Sequence, residues 1–199
     1  KPLNKIDYDN VVKQLYMCGF TPENDEGINM LRIQNEFTDM KTGLRKMSNV
    51  RAEIIGLDLI QEYCRTNSLQ KIIDMPSTIF NKFKFTQKMS ATTRSGEFIR
   101  KVDVEDFNFR VAYQTEQDFH FQSNFSRKII DQWNDSLKIF RSMNRVRFQH
   151  PDFPVFADIT IVKTSKKVDK VVIPKYTIQE ADVFNNIESY EVELEVDNF

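Results

Sequence analysis

The sequence predicts an α+β protein built around a closed antiparallel β-barrel with short flanking helices. Long segments with strand-like alternation are separated by only a few short helical segments. The sequence contains seventeen phenylalanines but only five glycines, which indicates a well-packed, strand-rich domain. The charged faces of the strands also differ in sign from strand to strand. A closed barrel with a charged interior explains that segregation better than an open sheet with one face in water.

Composition and charge narrow the class of protein. Of the 199 residues, 40% are hydrophobic and 29% are charged, as in a globular domain. No apolar run approaches the roughly 20 residues that a membrane-spanning helix needs. Cys18 and Cys64 supply neither a disulfide framework nor a metal framework, which fits a reducing compartment. The opening "KPLNKID" reads as an internal start rather than as a secretory leader.

The net charge of −1 conceals an asymmetry along the chain. From Tyr176 onward there are seven acidic residues and no basic ones. The first 175 residues therefore carry all 28 basic side chains and 22 acidic ones, which are the chain's 29 less those seven. Such a separation fits a solvated tail or a basic cavity that receives an acidic strand. The strict alternation in "YEVELEVDNF" favours the second interpretation.

The first half of the chain predicts two helices and two strands. Asp7 is the predicted N-cap of a helix that Gly19 closes, and its apolar stripe recurs at helical spacing: Tyr8, Val11, Val12, Leu15 and Tyr16. Strands are predicted over residues 28–37 and 50–55. The segment "LDLIQEYCRTNSL" predicts a short helix capped by Asp58.

The second half predicts mainly strands. "IFNKFKFTQKM" and "DFNFRVAYQTE" alternate aromatic with basic or small residues, and "SRKIIDQWND" predicts two helical turns. Two long strands follow in "LKIFRSMNRVRFQ" and "VFADITIVKTS", separated by the breaker "HPDFP". "YTIQEADVFNNI" predicts a short helix capped by Thr177, ahead of the final strand.

Several common catalytic sites are excluded by their missing motifs. The sequence has no Gly-rich phosphate loop, no nucleophile elbow and no HExxH motif. His120 and His150 lie far apart in sequence without an obvious partner, so they are interpreted as structural. Trp133 and the methionines are interpreted as core residues.

What remains is charge that alternates within strands. Arg141, Arg145 and Arg147 share one predicted face, and Asp158 and Thr160 share another. Lys82 and Lys84 line an earlier strand, and Glu191, Glu193 and Glu195 line the last. For any one strand, a half-buried sheet with its charged side in water is the plainer interpretation. Together, cations that suit phosphate oxygens and carboxylates that suit Mg²⁺ or Mn²⁺ predict metal-assisted attack of water on a polyphosphate.

The order of these motifs resembles that of the tunnel-type, metal-dependent RNA triphosphatases, the triphosphate tunnel metalloenzymes. More narrowly, it is similar to the triphosphatase domains of mRNA capping enzymes from large DNA viruses of the mimivirus kind. "YEVELEVDN" resembles the family's C-terminal ExExE strand, "FADITIVK" its D-x-T strand and "KIFRSMNRVRF" its basic strand. "DFNFRVAYQTE" resembles a strand that carries a phosphate-binding arginine, and "KIDYDNVVKQLYMCGF" resembles the helix after the family's first strand. The resemblance spans essentially the whole chain.

This resemblance implies the triphosphate tunnel fold and a polynucleotide 5′-phosphatase activity. The reaction would be hydrolysis of the γ-phosphate of nascent mRNA, the first step of capping, with hydrolysis of nucleoside triphosphates beside it. The implied cofactor is Mg²⁺ or Mn²⁺, held by Glu191, Glu193 and Glu195. Further catalytic roles would fall to Arg110, Arg145, Arg147 and Asp158. The implied substrate-binding residues are Lys84, Arg110, Lys138, Arg141, Arg145, Arg147, Thr160 and Lys163.

The resemblance also implies neighbouring segments. The family builds its metal site from two glutamate strands, and the first carries an ExE pair just before the helix that here begins near Asp7. We expect that strand upstream of Lys1, and a guanylyltransferase domain downstream. A viral capping enzyme would work in the cytoplasm, in a viral factory or virion. The alternatives are a hydrolase of the same fold acting on small triphosphates or polyphosphate, and a non-catalytic module that binds RNA or polyphosphate.

Overall fold

The computed structural model describes residues 3–39, 41–75, 81–169 and 171–196. Within them, helices α1 to α4 span Lys5–Met17, Leu57–Thr66, Leu69–Ile73 and Asn124–Asp131. Strands β1 to β6 span Thr21–Pro22, Ile28–Thr38, Arg45–Ile55, Phe83–Ser90, Val102–Val104 and Phe109–Val111. Strands β7 to β12 span Gln114–Phe119, Lys138–Gln149, Val155–Thr164, Lys167–Val168, Val171–Val172 and Ser189–Val196. None of the described helices has the length and apolar character needed to span a membrane.

The main sheet is antiparallel, with strand order β12-β9-β8-β2-β3-β4-β7. Strand β1 pairs with the end of β8, at Phe148 and Gln149. The sheet curls strongly into a half-barrel. Two short hairpins lie outside it, β5 with β6 and β10 with β11. The predicted α+β class and the predominance of antiparallel strands are therefore confirmed.

The prediction of a closed barrel was wrong, because the barrel is open. Among the described residues, β7 pairs in the sheet only with β4, and β12 pairs only with β9 apart from one bridge between Tyr190 and Leu3. The segment "DFNFRVAYQTE", which was predicted as a single strand, is also divided. The chain turns at Asn108, a left-handed residue with φ of 56°, and β6 pairs with β5, while β6 and the sheet strand β7 are separated at Ala112 and Tyr113.

Most predicted elements form, with shifted ends. Helix α1 begins at Lys5, and Asn4 rather than Asp7 caps it, accepting a hydrogen bond from the Asp7 backbone N–H at 2.8 Å. The helix predicted over residues 176–187 does not form. Left-handed Asp182 interrupts that segment, and only a 3₁₀ turn, Val183–Asn185, follows. Ile79 and Phe80 of one predicted strand, and the last three residues of the final strand, lie outside the described residues.

The apolar face of the sheet carries two cores. The larger packs β2, β3, β4 and β8 against α2, α3, Trp133 and the 178–183 segment. Tyr63 and Trp133 lie at its centre, where the indole N–H donates to the tyrosine hydroxyl at 3.1 Å. The smaller core packs the stripe of α1 against Phe148, Ala157 and Ile159. Since both cores lie on one face, the strand alternation directs the charged side chains to the other face.

Candidate metal and phosphate site

The polar face of the half-barrel, here called the polar wall, carries charged side chains across seven strands. Strand register places Glu193 opposite Asp158, which in turn lies opposite Arg147. Some ion pairs reach across a whole strand. Arg147 on β8 pairs with Glu195 on β12 across β9, and Arg51 on β3 pairs with Glu116 on β7 across β4. Side chains converge in this way on a concave surface. Its charged and hydroxyl members include Arg32, Arg51, Glu53, Lys84, Thr86, Lys88, Glu116, Asp118, Arg141, Arg145, Arg147, Asp158, Thr160, Glu191, Glu193 and Glu195.

Asp158 is the buried anchor of the acidic side of the wall. Its side chain is 0% exposed. It accepts hydrogen bonds from Arg145 Nη1 at 2.9 Å and from Arg147 Nε and Nη2, both at 2.7 Å. Three charge-assisted hydrogen bonds compensate the cost of burying the carboxylate. The bond to Asp158 also holds the pKa of Arg147 above its ordinary value, so this cation stays charged throughout the physiological range.

Three carboxylates cluster at this end of the wall. Ligand oxygens of Asp158, Glu193 and Glu195 lie within 4.8 Å of one another. Arg145 Nη2 donates to Glu193 at 3.1 Å, and Arg147 Nη2 donates to Glu195 at 2.9 Å. The arginines therefore offset the repulsion among the carboxylates. An oxygen-only donor set suits a hard divalent cation, so these residues fit Mg²⁺ or Mn²⁺.

Glu191 differs from its two neighbours on β12. It lies on the same face but pairs with Arg141, and it is not part of the three-carboxylate cluster. Thr160 lies opposite Glu191, is buried, and accepts a hydrogen bond from Arg145 Nε at 3.2 Å. The structure thus gathers six residues predicted for the site: Arg145, Arg147, Asp158, Thr160, Glu193 and Glu195. Arg141 and Glu191 lie beside them.

The far side of the wall includes residues that the sequence analysis missed. Lys84 was predicted, and its Nζ lies 2.5 Å from Asp118, which also accepts from Thr86 Oγ1 at 2.8 Å. Arg51 was not predicted, and it donates to Glu53 at 2.6 Å and to Glu116 at 3.0 Å. The signal was present in the sequence. "MLRIQ" and "VRAEI" alternate polar and apolar residues in the same way as the basic strand does.

Three residues predicted to bind substrate are not among the side chains of the wall. Arg110 lies on the β5–β6 hairpin, where it pairs with Asp103 at 2.6 Å and both side chains are 57% exposed. Lys163 lies on the apolar side of β9, and its Nζ donates to the Phe184 carbonyl at 3.0 Å. Lys138 also faces the apolar side, because its position in β8 differs by an odd number from those of Arg141, Arg145 and Arg147, and side chains at odd spacing point to opposite faces.

Lys138 is held inside the larger core. It is 1% exposed, and its Nζ donates to the carbonyls of Ser136 at 2.7 Å and Tyr176 at 3.2 Å. The ammonium also lies 5.3 Å from the centre of the Trp133 ring. Burial lowers the pKa of Lys138 to about 8, although Asp135 and Glu180 act in the opposite direction. Through its hydrogen bond to Tyr176, Lys138 links β8 to the 176–183 segment.

This burial gives an expected pH dependence of stability. Below pH 8 the lysine is charged in both the folded and unfolded states, so burial destabilises the fold. Between about pH 8 and about pH 10 the unfolded state holds more protons, so the free energy of unfolding is expected to rise by about 2 kcal/mol. Denaturant unfolding across this range should show the rise in the wild type and lose it in Lys138→Met. Lys13→Met, which removes an exposed lysine of α1, should keep the rise.

One comparison with known proteins, the one with solved structures, supports the fold described above. No family model and no curated protein matches the sequence. Among solved structures, the chain is similar to one described as "Monoclinic Mimivirus Capping Enzyme Triphosphatase", with a TM-score of 0.56 and 15% sequence identity. The match covers 100% of this chain and 78% of that one. At this identity the likeness shows the fold, which is the tunnel-type triphosphatase fold in an open form.

Proposed function

We propose that this chain is a metal-dependent RNA 5′-triphosphatase. It would hydrolyse the γ-phosphate of nascent mRNA as the first step of capping, and would also hydrolyse nucleoside triphosphates. The observation that carries the proposal is the clustering of Asp158, Glu193 and Glu195 beside Arg145 and Arg147 on one wall. The tunnel fold, shared with a viral capping enzyme triphosphatase, supports it.

Glu193 and Glu195 would hold the cofactor, Mg²⁺ or Mn²⁺, with Asp158 behind them. Both glutamates are 49% exposed, so substrate and water can reach them, whereas Asp158 is enclosed. A bound divalent cation would polarise the γ-phosphate and neutralise charge that develops on it. A glutamate oxygen that faces water can also accept a hydrogen bond from the attacking water and orient it.

The cations of the wall would bind the phosphate oxygens. Arg145 is only 15% exposed and is fixed by Asp158 and Thr160, so its guanidinium needs little reorganisation to meet an anion. Arg147 is oriented in the same way by Asp158. Lys84 and Arg141 present further donors from neighbouring parts of the wall. Fixed cations of this kind stabilise the spread negative charge of a phosphoryl-transfer transition state.

We also propose that a strand preceding Leu3 completes the metal site in the full-length protein. Leu3 bridges Tyr190 in antiparallel register, so the chain enters α1 along the edge of β12 that pairs with no further strand among the described residues. A preceding strand would therefore lie beside Glu191, Glu193 and Glu195 and could add carboxylates to them. We further propose that a guanylyltransferase domain follows this one in the same polypeptide.

A substrate panel tests the function. Phosphate release by the full-length protein would be measured from triphosphate-ended RNA, ATP and inorganic tripolyphosphate, each with Mg²⁺, with Mn²⁺ and with chelator. We expect metal-dependent release that is most efficient, by kcat/KM, on the RNA. A strong preference for tripolyphosphate would instead identify a small-molecule hydrolase of the same fold. RNA affinity without release in either metal would identify a binding module.

A further inference from the structure

The β10–β11 hairpin, which lies outside the polar wall, carries a surplus of basic side chains. Residues 163–175 contain five lysines and one acidic residue, Asp169. Lys166 and Lys167 are exposed, and Lys175 is half-buried. Within the described ranges, none of these three ammonium groups has an ion-pair or hydrogen-bond partner. The hairpin therefore presents cations that the domain itself does not use.

The acidic side chains that follow the hairpin are held by other groups. Glu180 accepts a hydrogen bond from a backbone N–H at 3.3 Å, and Asp182 accepts one from an asparagine side chain at 2.7 Å. Glu188 lies 3.8 Å from Lys163, the first of the five lysines. These carboxylates do not neutralise the remaining hairpin lysines by direct contact.

Backbone pairing fixes the hairpin at one end of the polar wall. Thr164, the last residue of β9, lies opposite Arg141 on the polar face, and the Lys175 backbone pairs with Lys138, the first residue of β8. Thr164 lies six positions beyond Asp158 along β9, so the hairpin begins about 20 Å from the carboxylate cluster. Tripolyphosphate bound at that cluster is too short to reach the hairpin, whereas the chain of an RNA is long enough.

The opposite end of the wall is bordered by acidic side chains. The Glu23 backbone N–H donates to the Arg147 carbonyl at 2.8 Å, so the turn over residues 23–26 lies beyond the cluster. Three of its four residues, Glu23, Asp25 and Glu26, are acidic and exposed. These carboxylates form no ion pair with any residue that the structure describes. A polyanion is repelled at this end and attracted at the other, so an RNA chain should leave the wall over the hairpin.

An exposed aromatic side chain lies beside the hairpin lysines. Tyr176 directly follows Lys175 and is 46% exposed. Among the described aromatic residues, none stacks on its ring. Single-stranded nucleic acids bind where aromatic rings stack on bases and neighbouring cations meet the phosphates. The end of the hairpin offers both kinds of group.

We propose that the β10–β11 hairpin binds the single-stranded RNA that follows the 5′ end held on the polar wall. Lys166, Lys167 and Lys175 contact backbone phosphates, and Tyr176 stacks on a base. The placement of these nucleotides next to a 5′ triphosphate rests on the proposed function, whereas affinity for single-stranded RNA does not. The hairpin distinguishes an RNA from a free nucleoside triphosphate, which has no chain to reach it.

Fluorescence anisotropy with a labelled single-stranded RNA that carries a 5′ hydroxyl tests the hairpin apart from hydrolysis. The full-length protein would be titrated in chelator at several salt concentrations. Lys166→Gln/Lys167→Gln should weaken binding about tenfold and lower the slope of log affinity against log salt by about 1.4, because two phosphate contacts are lost. Lys166→Arg/Lys167→Arg keeps both charges and should keep the slope. The matched control is Lys13→Gln/Lys71→Gln, which removes two exposed lysines of α1 and α3 and should bind as the wild type does.

The aromatic contact is tested separately with Tyr176→Leu. This variant should weaken RNA binding about fivefold or more, because a stacked base loses its platform. The salt slope should stay as in the wild type, since no charge is removed. Wild-type affinity in this variant would remove Tyr176 from the proposed contact.

The outcomes separate the hairpin from the proposed function. In Lys166→Gln/Lys167→Gln the KM for triphosphate-ended RNA should rise, and by a larger factor than the KM for tripolyphosphate. Unchanged RNA affinity and an unchanged KM for RNA in this variant would overturn the hairpin proposal and leave the hydrolase function standing. Lysine-dependent binding to phosphatidylserine vesicles, with none to RNA, would also overturn it. Hairpin-dependent RNA binding in a protein that releases no phosphate from any substrate supports the hairpin proposal and removes the hydrolase function.

Discussion

Replacing Glu193 and Glu195 together by glutamine is expected to lower metal-dependent γ-phosphate release by about a thousandfold or more. The two amides keep the size of the side chains and can still accept from Arg145 and Arg147. They remove two negative charges from the cluster that would hold the cation, and a hard divalent cation binds neutral amides poorly at such a site. The rate of phosphate release from triphosphate-ended RNA, measured in Mn²⁺ and in Mg²⁺, checks this expectation.

A control variant removes two carboxylates from the same acidic segment but not from the wall. Glu180 accepts from the Tyr176 backbone, and Glu188 lies near Lys163 and Tyr190. The double variant Glu180→Gln/Glu188→Gln should therefore keep wild-type activity. If the wall variant also keeps it, the assignment of the cluster as the metal site fails.

Asp158→Asn is expected to be the most destabilising single change on the wall. The amide cannot accept all three arginine hydrogen bonds, and Arg145 and Arg147 keep only their exposed carboxylate partners, Glu193 and Glu195. Removing one partner of a buried ion pair typically costs 3–5 kcal/mol, and we expect about 3 kcal/mol here because Arg147 keeps partial contact with water. Denaturant unfolding gives the change in the free energy of unfolding.

Asp103→Asn is the matched control for this change. Asp103 also pairs with an arginine, Arg110, at 2.6 Å, but both side chains are 57% exposed on the β5–β6 hairpin. An exposed pair contributes little to stability, so Asp103→Asn should lower the free energy of unfolding far less than Asp158→Asn does. Equal destabilisation by the two variants would show that Asp158 does not act as a buried anchor.

Alternation along strands made much of the wall predictable. In β8 and β9 the core residues Phe140, Phe148 and Ile159 point to the side opposite Arg141, Arg145, Arg147 and Asp158, so period two placed these charged side chains on one face. The same argument applied to "MLRIQ" and "VRAEI" would have found Arg32, Arg51 and Glu53. It would also have set Lys138 with Phe140, on the apolar side.

The remaining differences arise from information that alternation does not contain. A single left-handed residue, Asn108, turns the chain and places Arg110 on a separate hairpin. Left-handed Asp182 prevents the predicted helix near Thr177. Whether the sheet closes depends on which strands pair with partners distant in sequence. The alternation of side chains along a strand is the same in an open sheet and in a closed barrel, so it cannot distinguish them. The pairing of Glu191 with Arg141, instead of with the cluster, is likewise a property of register across three strands.

Anomalous diffraction from crystals of the full-length protein soaked with Mn²⁺ and a non-hydrolysable triphosphate tests whether the carboxylate cluster binds the metal. We predict a manganese peak at ligand distance from Glu193 and Glu195, with the phosphates against Arg145 and Arg147. A manganese peak away from these glutamates, or phosphates bound off the polar wall, would contradict it.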